Sequence, residues 1–260
     1  MLGAIIGDII GSTREWANVK STDFNLYEPH SQVTDDSVMS IAVASWILRG
    51  DSLVENMLHF GRKYPDAGYG GTFKTWLKSD NPQPYDSWGN GSAMRVSPVG
   101  WAFETLEETL EVAEKSAIVS HNHYEGIKGA KAVAGAIFLA RTGASKEIIK
   151  VWVEENCFGY NLSRMCDEIR PFYKFDVSCL GSVPEAIIAF LESTDFESAI
   201  RLAISLGGDS DTIACIAGSI AEAFYQKIPV DMKTYALLKL PENMTLVLKE
   251  FHSKFNINTL

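Results

Sequence analysis

The sequence lacks the features that define several large classes of protein. Its longest apolar stretch, residues 130–140, contains Lys131 and is too short to cross a bilayer. The apolar start, residues 1–10, has no basic segment before it and contains Asp8, so we do not expect a secretory signal peptide. Its four cysteines form no Cys-x-x-Cys pair, which predicts free, mostly buried thiols in a reducing compartment. These absences predict a cytoplasmic protein without a membrane partner.

Basic residues are scarce relative to acidic ones. The 260 residues include 23 Lys and Arg against 33 Asp and Glu, which gives a formal net charge of −10. An acidic surface argues against extended nucleic-acid binding and against a polybasic membrane patch. Apolar residues make up 46% of the chain, enough for a sizeable core. The length and composition together predict one domain over residues 1–260.

Strand-like alternation is also rare, and helical periodicity dominates. Gly3, Gly7 and Gly11 lie four residues apart on one face of a first helix, a spacing that allows very close packing against another helix. Residues 36–49 are apolar around most of a helical circumference, and Gly50 is expected to end that helix. The periodicity predicts further helices at about 52–63, 107–119, 125–141, 145–155, 183–192, 195–205, 211–226 and 243–254. The sequence therefore predicts an all-α fold.

Two short acidic clusters stand where helices should begin. The first is Thr34-Asp35-Asp36-Ser37, and the second is Gly208-Asp209-Ser210-Asp211-Thr212. Helix capping would explain one acidic residue at each start, but two clusters before largely apolar, buried helices would leave several carboxylates desolvated. An oxygen-only ligand set suits a hard divalent cation such as Mg²⁺ or Mn²⁺. Both interpretations stay open, with a two-metal hydrolytic site as the leading hypothesis.

Two glycine-rich loops, at residues 64–71 and 86–92, interrupt the helical pattern. Residues 89–95, of sequence GNGSAMR, fit either a plain turn into a helix or a cradle of backbone N–H groups for a phosphate. Three further candidate residues have ordinary structural explanations when each is taken alone. Glu15 fits a solvated helix end, Arg95 an ordinary salt bridge, and His121 a core or surface histidine.

Taken together, these motifs resemble the ADP-ribosylglycohydrolase family, which includes the dinitrogenase-reductase-activating glycohydrolase and the ADP-ribosyl-acceptor hydrolases. The resemblance covers nearly the whole chain. It rests on residues 3–12 (GAIIGDIIGS) with Glu15, the two acidic clusters, the Gly70-Gly71 and 89–95 loops, and Ser120-His121. The two acidic motifs, in this order and at this separation, are its most specific part.

The resemblance implies a compact all-α multi-helix orthogonal bundle with a binuclear Mg²⁺ or Mn²⁺ cleft. It implies metal ligands at Thr34, Asp35, Asp36, Asp209, Asp211 and Thr212. It implies a substrate-binding set of Gly70, Gly71, Gly89, Asn90, Gly91, Ser92, Ala93, Met94, Arg95, His121 and Phe175. Ser92 is expected among the donors to the diphosphate. Glu15 matches a family glutamate near the metals, and the catalytic base is expected among Glu15, Asp35 and Asp36.

The implied activity is hydrolysis of the bond between the distal ribose of ADP-ribose and an acceptor. The partner would be an ADP-ribosylated protein, with arginine or another side chain as acceptor, or a small-molecule conjugate, and ADP-ribose would be released. Three alternatives remain: an ADP-ribose-binding protein without catalysis, a two-metal phosphoesterase, and a hydrolase of ADP-ribosylated nucleic-acid ends or small conjugates. Tyr124 replaces a proline common in related chains, and the chain lacks the insertions of longer members. Both departures lie where acceptor recognition would be set.

Overall fold

The computed structural model describes residues 1–260 and contains fifteen helices and no strand, which confirms the all-α prediction. A single pair of residues, Gly89 and Ser178, forms an isolated bridge between loops. The helices are α1 (Leu2–Gly11), α2 (Asp35–Arg49), α3 (Leu53–Lys63), α4 (Gly71–Lys78), α5 (Gly91–Met94), α6 (Ser97–Ala102), α7 (Leu106–Ile118), α8 (Tyr124–Arg141), α9 (Lys146–Asn156), α10 (Cys166–Ile169), α11 (Cys179–Glu192), α12 (Phe196–Ser205), α13 (Ser210–Tyr225), α14 (Val230–Lys239) and α15 (Glu242–Lys254).

The predicted helices are present within one or two residues of their expected bounds, except for α11. That helix begins at Cys179, four residues before the predicted start, and contains Pro184 in its interior. Ser178 provides the cap, since its side chain accepts a hydrogen bond from the backbone N–H of Gly181. Proline is a strong sequence signal for a helix start, so it masked the true start one turn upstream. Helix α14 and the short helices α6 and α10 were not predicted.

Helix α1 lies in very close contact with α13, as the glycine spacing predicted. A Cβ atom at Gly3 would lie 2.2 Å from the carbonyl oxygen of Gly218, and one at Gly7 would lie 2.1 Å from that of Ala214. Only glycine permits this approach, because real Cβ contacts are never so short. At the end of the same face, a Cβ at Gly11 would lie 2.6 Å from the Cα of Asp211. The glycine face therefore sets the position of the acidic start of α13.

Helix α13 occupies the centre of the molecule, where it packs against α1, α8, α11 and α12. Helix α2 packs against α1, α3, α6 and α15. Gly50 ends α2 in the left-handed conformation, as expected. The N-terminal ends of α2 and α13 lie together, since the Thr212 hydroxyl in the first turn of α13 donates a hydrogen bond to Asp36 in the first turn of α2. All four cysteines are free and buried, and none of the helices is both long and apolar enough for a membrane crossing.

Candidate metal and substrate site

Carboxylates from three separate segments meet at the N-terminal ends of α2 and α13. Oxygen atoms of Asp8, Asp36 and Asp211 all lie within 4.8 Å of one another. A second group with the same mutual spacing consists of Glu15, Asp209 and Asp211. Asp211 belongs to both groups, so the two form one continuous acidic centre. The two clusters recognised in the sequence are therefore brought together in space.

Asp8 connects α1 to the start of α2. Its Oδ2 accepts hydrogen bonds from the backbone N–H groups of Thr34 and Ser37, both at 3.1 Å, and its Oδ1 accepts one from the Thr34 hydroxyl at 2.6 Å. The sequence-based prediction of the site missed this residue. The available signal was a single carboxylate inside an otherwise apolar helix, which has to find partners or a cation when buried. Asp8 is fully buried.

The first turn of α2 separates the capping interpretation from the metal interpretation. Thr34 is the N-cap, and its hydroxyl accepts a hydrogen bond from the backbone N–H of Asp36 at 3.4 Å. The carboxylate of Asp36 caps nothing: its Oδ2 accepts from the Thr212 hydroxyl at 3.2 Å, and its Oδ1 is buried without a partner. Capping thus accounts for Thr34 but not for Asp36. A buried carboxylate oxygen without a donor is a position that a cation would satisfy.

The start of α13 gives the same result. Asp209 stands at the N-cap position, but its side chain makes no capping hydrogen bond. Its Oδ2 accepts a hydrogen bond from the side-chain amide of Asn90 at 2.7 Å. Asp211 accepts a hydrogen bond from the backbone N–H of Thr212 at 3.0 Å. Asn90 lies in the second glycine loop, so that loop is attached directly to the acidic centre.

Burial and mutual repulsion make the charged forms of these carboxylates costly. Burial, followed by the charge of Asp211, raises the pKa of Asp36 and of Asp209 well above the ordinary value. The same two causes raise the pKa of Glu15 to about 7. A bound cation reverses this situation, because it stabilises the charged carboxylates. The donor set is made of oxygen alone, without histidine or cysteine, and so fits a hard divalent cation rather than zinc.

The acidic centre lies in the wall of a cavity of about 590 Å³, a volume typical of small-molecule sites. Sixteen of the eighteen residues predicted for the site line this cavity. They are Glu15, Thr34, Asp35, Asp36, Gly70, Gly71, Gly89, Asn90, Gly91, Met94, Arg95, His121, Phe175, Asp209, Asp211 and Thr212. Asp35 belongs to neither carboxylate group and is partly exposed. The sequence-based prediction omitted other lining residues, among them Ser12, Trp16, Asp66, Tyr85 and Trp88.

Ser92 and Ala93 are the two predicted residues that do not line the cavity, and both are fully buried. The hydroxyl of Ser92 donates a hydrogen bond to the backbone carbonyl of Gly126 at 2.6 Å. It is therefore directed into the contact between α5 and α8. The expectation that this hydroxyl is a diphosphate donor is corrected by the geometry, because its only proton is already used inside the protein.

Arg95 does not form the ordinary salt bridge that its sequence context allowed. It is 1% exposed and has no carboxylate partner; it donates instead to the Ser116 carbonyl at 2.8 Å and the Ser120 hydroxyl at 2.9 Å. The Ser120 hydroxyl lies 2.8 Å from Nδ1 of His121. Burial lowers the pKa of Arg95 to about 10, and burial together with the charge of Arg95 lowers the pKa of His121 well below its ordinary value.

Aromatic rings border the cavity on the side of Glu15. Trp16 stacks on Phe175 with ring centroids 5.2 Å apart and an interplanar angle of 24°. Both residues are exposed, Trp16 at 81% and Phe175 at 44%. Sequence reasoning selected Phe175 but missed Trp16, although it directly follows Glu15. Stacked exposed rings next to a half-buried carboxylate are typical of the edge of a binding site.

Comparisons with known proteins agree with this geometry. The family model described as ADP-ribosylglycohydrolase matches residues 1–251. The chain is 29% identical to human ADP-ribosylhydrolase ARH3, over 86% of this chain and 84% of that protein. It is 26% identical to the ADP-ribosylarginine hydrolase Tri1 of Pseudomonas putida strain GB-1, over 86% of this chain and 69% of that protein. A solved structure titled ADP-ribosylglycohydrolase-related protein complex has the same fold, with a TM-score of 0.72, 24% identity and coverage of 99% and 97% of the two chains.

Proposed function

The chain belongs to the ADP-ribosylglycohydrolase family of hydrolases, and on that premise we propose that it is a metal-dependent enzyme that releases ADP-ribose from an ADP-ribosylated acceptor. One observation carries this proposal. Two carboxylate groups share Asp211, and all their members except Asp8 line a cavity of about 590 Å³, which is also lined by the glycine loop at residues 89–91. An acidic centre beside a glycine-rich loop suits a substrate with a ribose at one end and a diphosphate next to it.

The residues suited to hold two divalent cations, Mg²⁺ or Mn²⁺, are the three aspartates of the acidic centre other than Asp8, together with Asp35 in the cavity wall and two threonine hydroxyls. They are Thr34, Asp35, Asp36, Asp209, Asp211 and Thr212. When bound, the cations supply Lewis-acid character at the hydroxyls of the distal ribose and lower the pKa of a bound water. Asp8 has a structural role: its carboxylate accepts hydrogen bonds from the backbone N–H groups of Thr34 and Ser37, which hold the start of α2 in place.

Cleavage of a glycosidic bond requires a group that moves a proton between water and the leaving acceptor. We assign this part to Glu15 in preference to Asp35 and Asp36. Its carboxylate lies next to Asp209 and Asp211, lines the cavity and is only half-buried, so it can contact both the metal centre and a water molecule. Asp36 is less suited, because its Oδ2 is already engaged by the Thr212 hydroxyl. Asp35 lines the cavity but belongs to neither carboxylate group.

The proposed acceptor is a side chain of a mono-ADP-ribosylated protein, with arginine as the first candidate. The name of the relative from Pseudomonas putida refers to ADP-ribosylarginine, and that protein covers 86% of this chain. The stacked pair of Trp16 and Phe175 at the edge of the cavity supports the same choice, because a planar guanidinium stacks well on an aromatic face. We propose a cytoplasmic location on the ground that the four cysteines are free.

A release assay tests the proposal. The protein is given arginine-, serine- and nucleic-acid-linked mono-ADP-ribose with Mg²⁺, with Mn²⁺ and with EDTA, and the products are separated by chromatography. Metal-dependent release of free ADP-ribose from one substrate identifies the acceptor class, and Asp209→Asn serves as the inactive control. Formation of AMP would indicate a phosphoesterase. ADP-ribose binding without release from any conjugate would contradict the catalytic proposal and indicate a binding protein.

A further inference from the structure

The side chains of Arg95, Ser120 and His121 are linked by buried hydrogen bonds behind the second glycine loop. Arg95 follows helix α5, and Ser120 and His121 lie between α7 and α8. The Arg95 guanidinium is 2.9 Å from the Ser120 hydroxyl, which is 2.8 Å from Nδ1 of His121. Their exposed fractions are 1%, 0% and 5%. The mechanism proposed above does not use this chain of contacts.

The chemistry of the three groups fixes the direction of each hydrogen bond. A guanidinium can only donate, so the Ser120 oxygen accepts from Arg95. The Ser120 oxygen has a second lone pair, but the single proton of its hydroxyl has no acceptor other than Nδ1 of His121, so Ser120 donates and Nδ1 accepts. A second proton on the ring is disfavoured by burial and by the nearby positive charge of Arg95. The imidazole proton therefore lies on Nε2.

The Nε2 atom points at the glycine loop. A Cβ atom at Gly91 would lie 2.8 Å from Nε2 of His121, and one at Gly89 would lie 3.6 Å from it. His121, Gly89 and Gly91 all line the cavity. No protein atom forms a hydrogen bond with Nε2, whereas Nδ1 is engaged by Ser120. The ring thus presents an unused N–H donor beside the two glycines.

We propose that Arg95 and Ser120 are positioning residues that hold His121 as its Nε2–H tautomer, so that the imidazole donates a hydrogen bond to a phosphate oxygen of the bound ligand. This inference rests on the proposed function for the identity of the ligand, an ADP-ribose diphosphate. The tautomer itself follows from the contacts of the protein alone. Arg95 acts at a distance: it orients the hydroxyl of Ser120 rather than contacting the phosphate.

Nitrogen NMR of the wild-type protein tests the tautomer directly. In protein labelled with ¹⁵N-histidine, we expect His121 to show a protonated Nε2 and an unprotonated Nδ1 at neutral pH, with the signal assigned by its loss in His121→Gln. The chain has only five histidines, so the spectrum is simple. A protonated Nδ1 in the wild type would overturn the proposal without any further variant.

Ser120→Ala tests the positioning role. Removal of the hydroxyl leaves Nδ1 without its donor, so we expect Nδ1–H to become populated and the affinity for ADP-ribose, measured by calorimetry, to fall about tenfold, the loss typical of one hydrogen bond to a charged group. Ser120→Thr keeps the hydroxyl and should restore both readouts. Mn²⁺ affinity should be unchanged in both variants, because Ser120 does not contact the acidic centre.

Ser116→Ala is the matched control. This buried serine lies one turn before Ser120, and its hydroxyl donates only to the Ala113 carbonyl, while its own carbonyl, which accepts from Arg95, is retained. We expect the wild-type tautomer and wild-type ADP-ribose affinity. An unchanged tautomer and affinity in Ser120→Ala, or equal losses in Ser116→Ala, would overturn the positioning role. Failure of the wild type to bind ADP-ribose would instead contradict the proposed function, and the nitrogen spectra would still decide the tautomer.

Discussion

Asp211→Asn should have opposite effects on stability in the absence and in the presence of divalent cations. The Asp211 carboxylate has oxygen atoms within 4.8 Å of those of Asp8, Asp36, Glu15 and Asp209. At that distance, one fully ionised pair repels by about 3 kcal/mol with an effective dielectric constant of about 20. Burial raises the pKa of each partner, so part of this repulsion is already relieved by protonation. We therefore expect Asp211→Asn to stabilise the metal-free protein by about 1–3 kcal/mol.

The substitution has two other effects on stability. The loss of a favourable charge at a helix N-terminus is smaller than the relief of repulsion, and the loss of metal binding matters only when metal is present. Loss of a negative charge in the first turn of α13 costs about 0.3–1 kcal/mol. The amide oxygen of asparagine can still accept the hydrogen bond from the Thr212 N–H, so the local structure is retained. A cation at one hundred times its dissociation constant stabilises the wild type by about 2.7 kcal/mol per site. The variant should lose most of this gain, because it lacks the carboxylate shared by the two groups.

The assay is thermal unfolding of both proteins in EDTA and in saturating Mg²⁺ or Mn²⁺. For a chain of this length, 1 kcal/mol corresponds to about 2 °C in Tm, so the variant should melt about 2–6 °C above the wild type in EDTA and below it with metal. Asp23→Asn, which removes an exposed carboxylate without an ion pair, should follow the wild type in both conditions. A variant that is less stable than the wild type in EDTA and shows the same metal-induced shift would refute a repulsive, cation-binding centre.

Three further predictions concern the framework of the site and the pH dependence of stability. Gly7→Ala should lower stability by about 1–3 kcal/mol, because the new Cβ would lie 2.1 Å from the Ala214 carbonyl oxygen. It should also weaken Mn²⁺ binding measured by calorimetry. An Mn²⁺ affinity equal to that of the wild type would show that the α1–α13 contact does not determine the geometry of the site. Asp8→Asn keeps an acceptor for the N–H groups at the start of α2, so it should lower metal affinity with little loss of stability. Asp8→Ala leaves those buried groups unpaired and should cost about 1–3 kcal/mol per group in denaturant unfolding. Equal stabilities of the two variants would contradict this reasoning. Burial lowers the pKa of His252 from 6.5 to about 4, so between these pH values only the unfolded chain gains the proton. Stability should therefore fall from pH 7 to pH 4.5 by about 2–3 kcal/mol more in the wild type than in His252→Phe, and parallel pH profiles would exclude this contribution.

The sequence predicted what local patterns encode. Apolar periodicity defined most helices, and the acidic clusters gave the starts of α2 and α13 because each combines a polar cap with an apolar helix. The sequence did not predict the directions of side chains within the site. Ser92 and Asn90 lie in the same loop, but their side chains point in different directions. The Ser92 hydroxyl donates to the buried carbonyl of Gly126, whereas the Asn90 amide donates to Asp209 in the site. Such directions depend on tertiary contacts, which no short segment specifies.

Asp8 shows a second limit of local patterns, because its importance depends on residues far along the chain. On its own, it interrupts an apolar helix; in the fold, it tethers residues 34 and 37 and faces the start of α13.

Helix α1 therefore links the stability of the fold to the composition of the site. Its glycine face fixes the distance to α13, and Asp8 fixes the start of α2, so one ten-residue helix determines how closely the two acidic clusters approach. A looser contact would place the carboxylates farther apart and lower the electrostatic repulsion between them, but it would also lose the helix packing that makes Gly7→Ala destabilising. The close contact has the opposite consequence: it concentrates negative charge that a pair of cations can offset. The packing of α1 thus favours metal affinity at the cost of electrostatic repulsion in the metal-free protein. Asp211→Asn measures that repulsion, and Gly7→Ala measures the packing that maintains it.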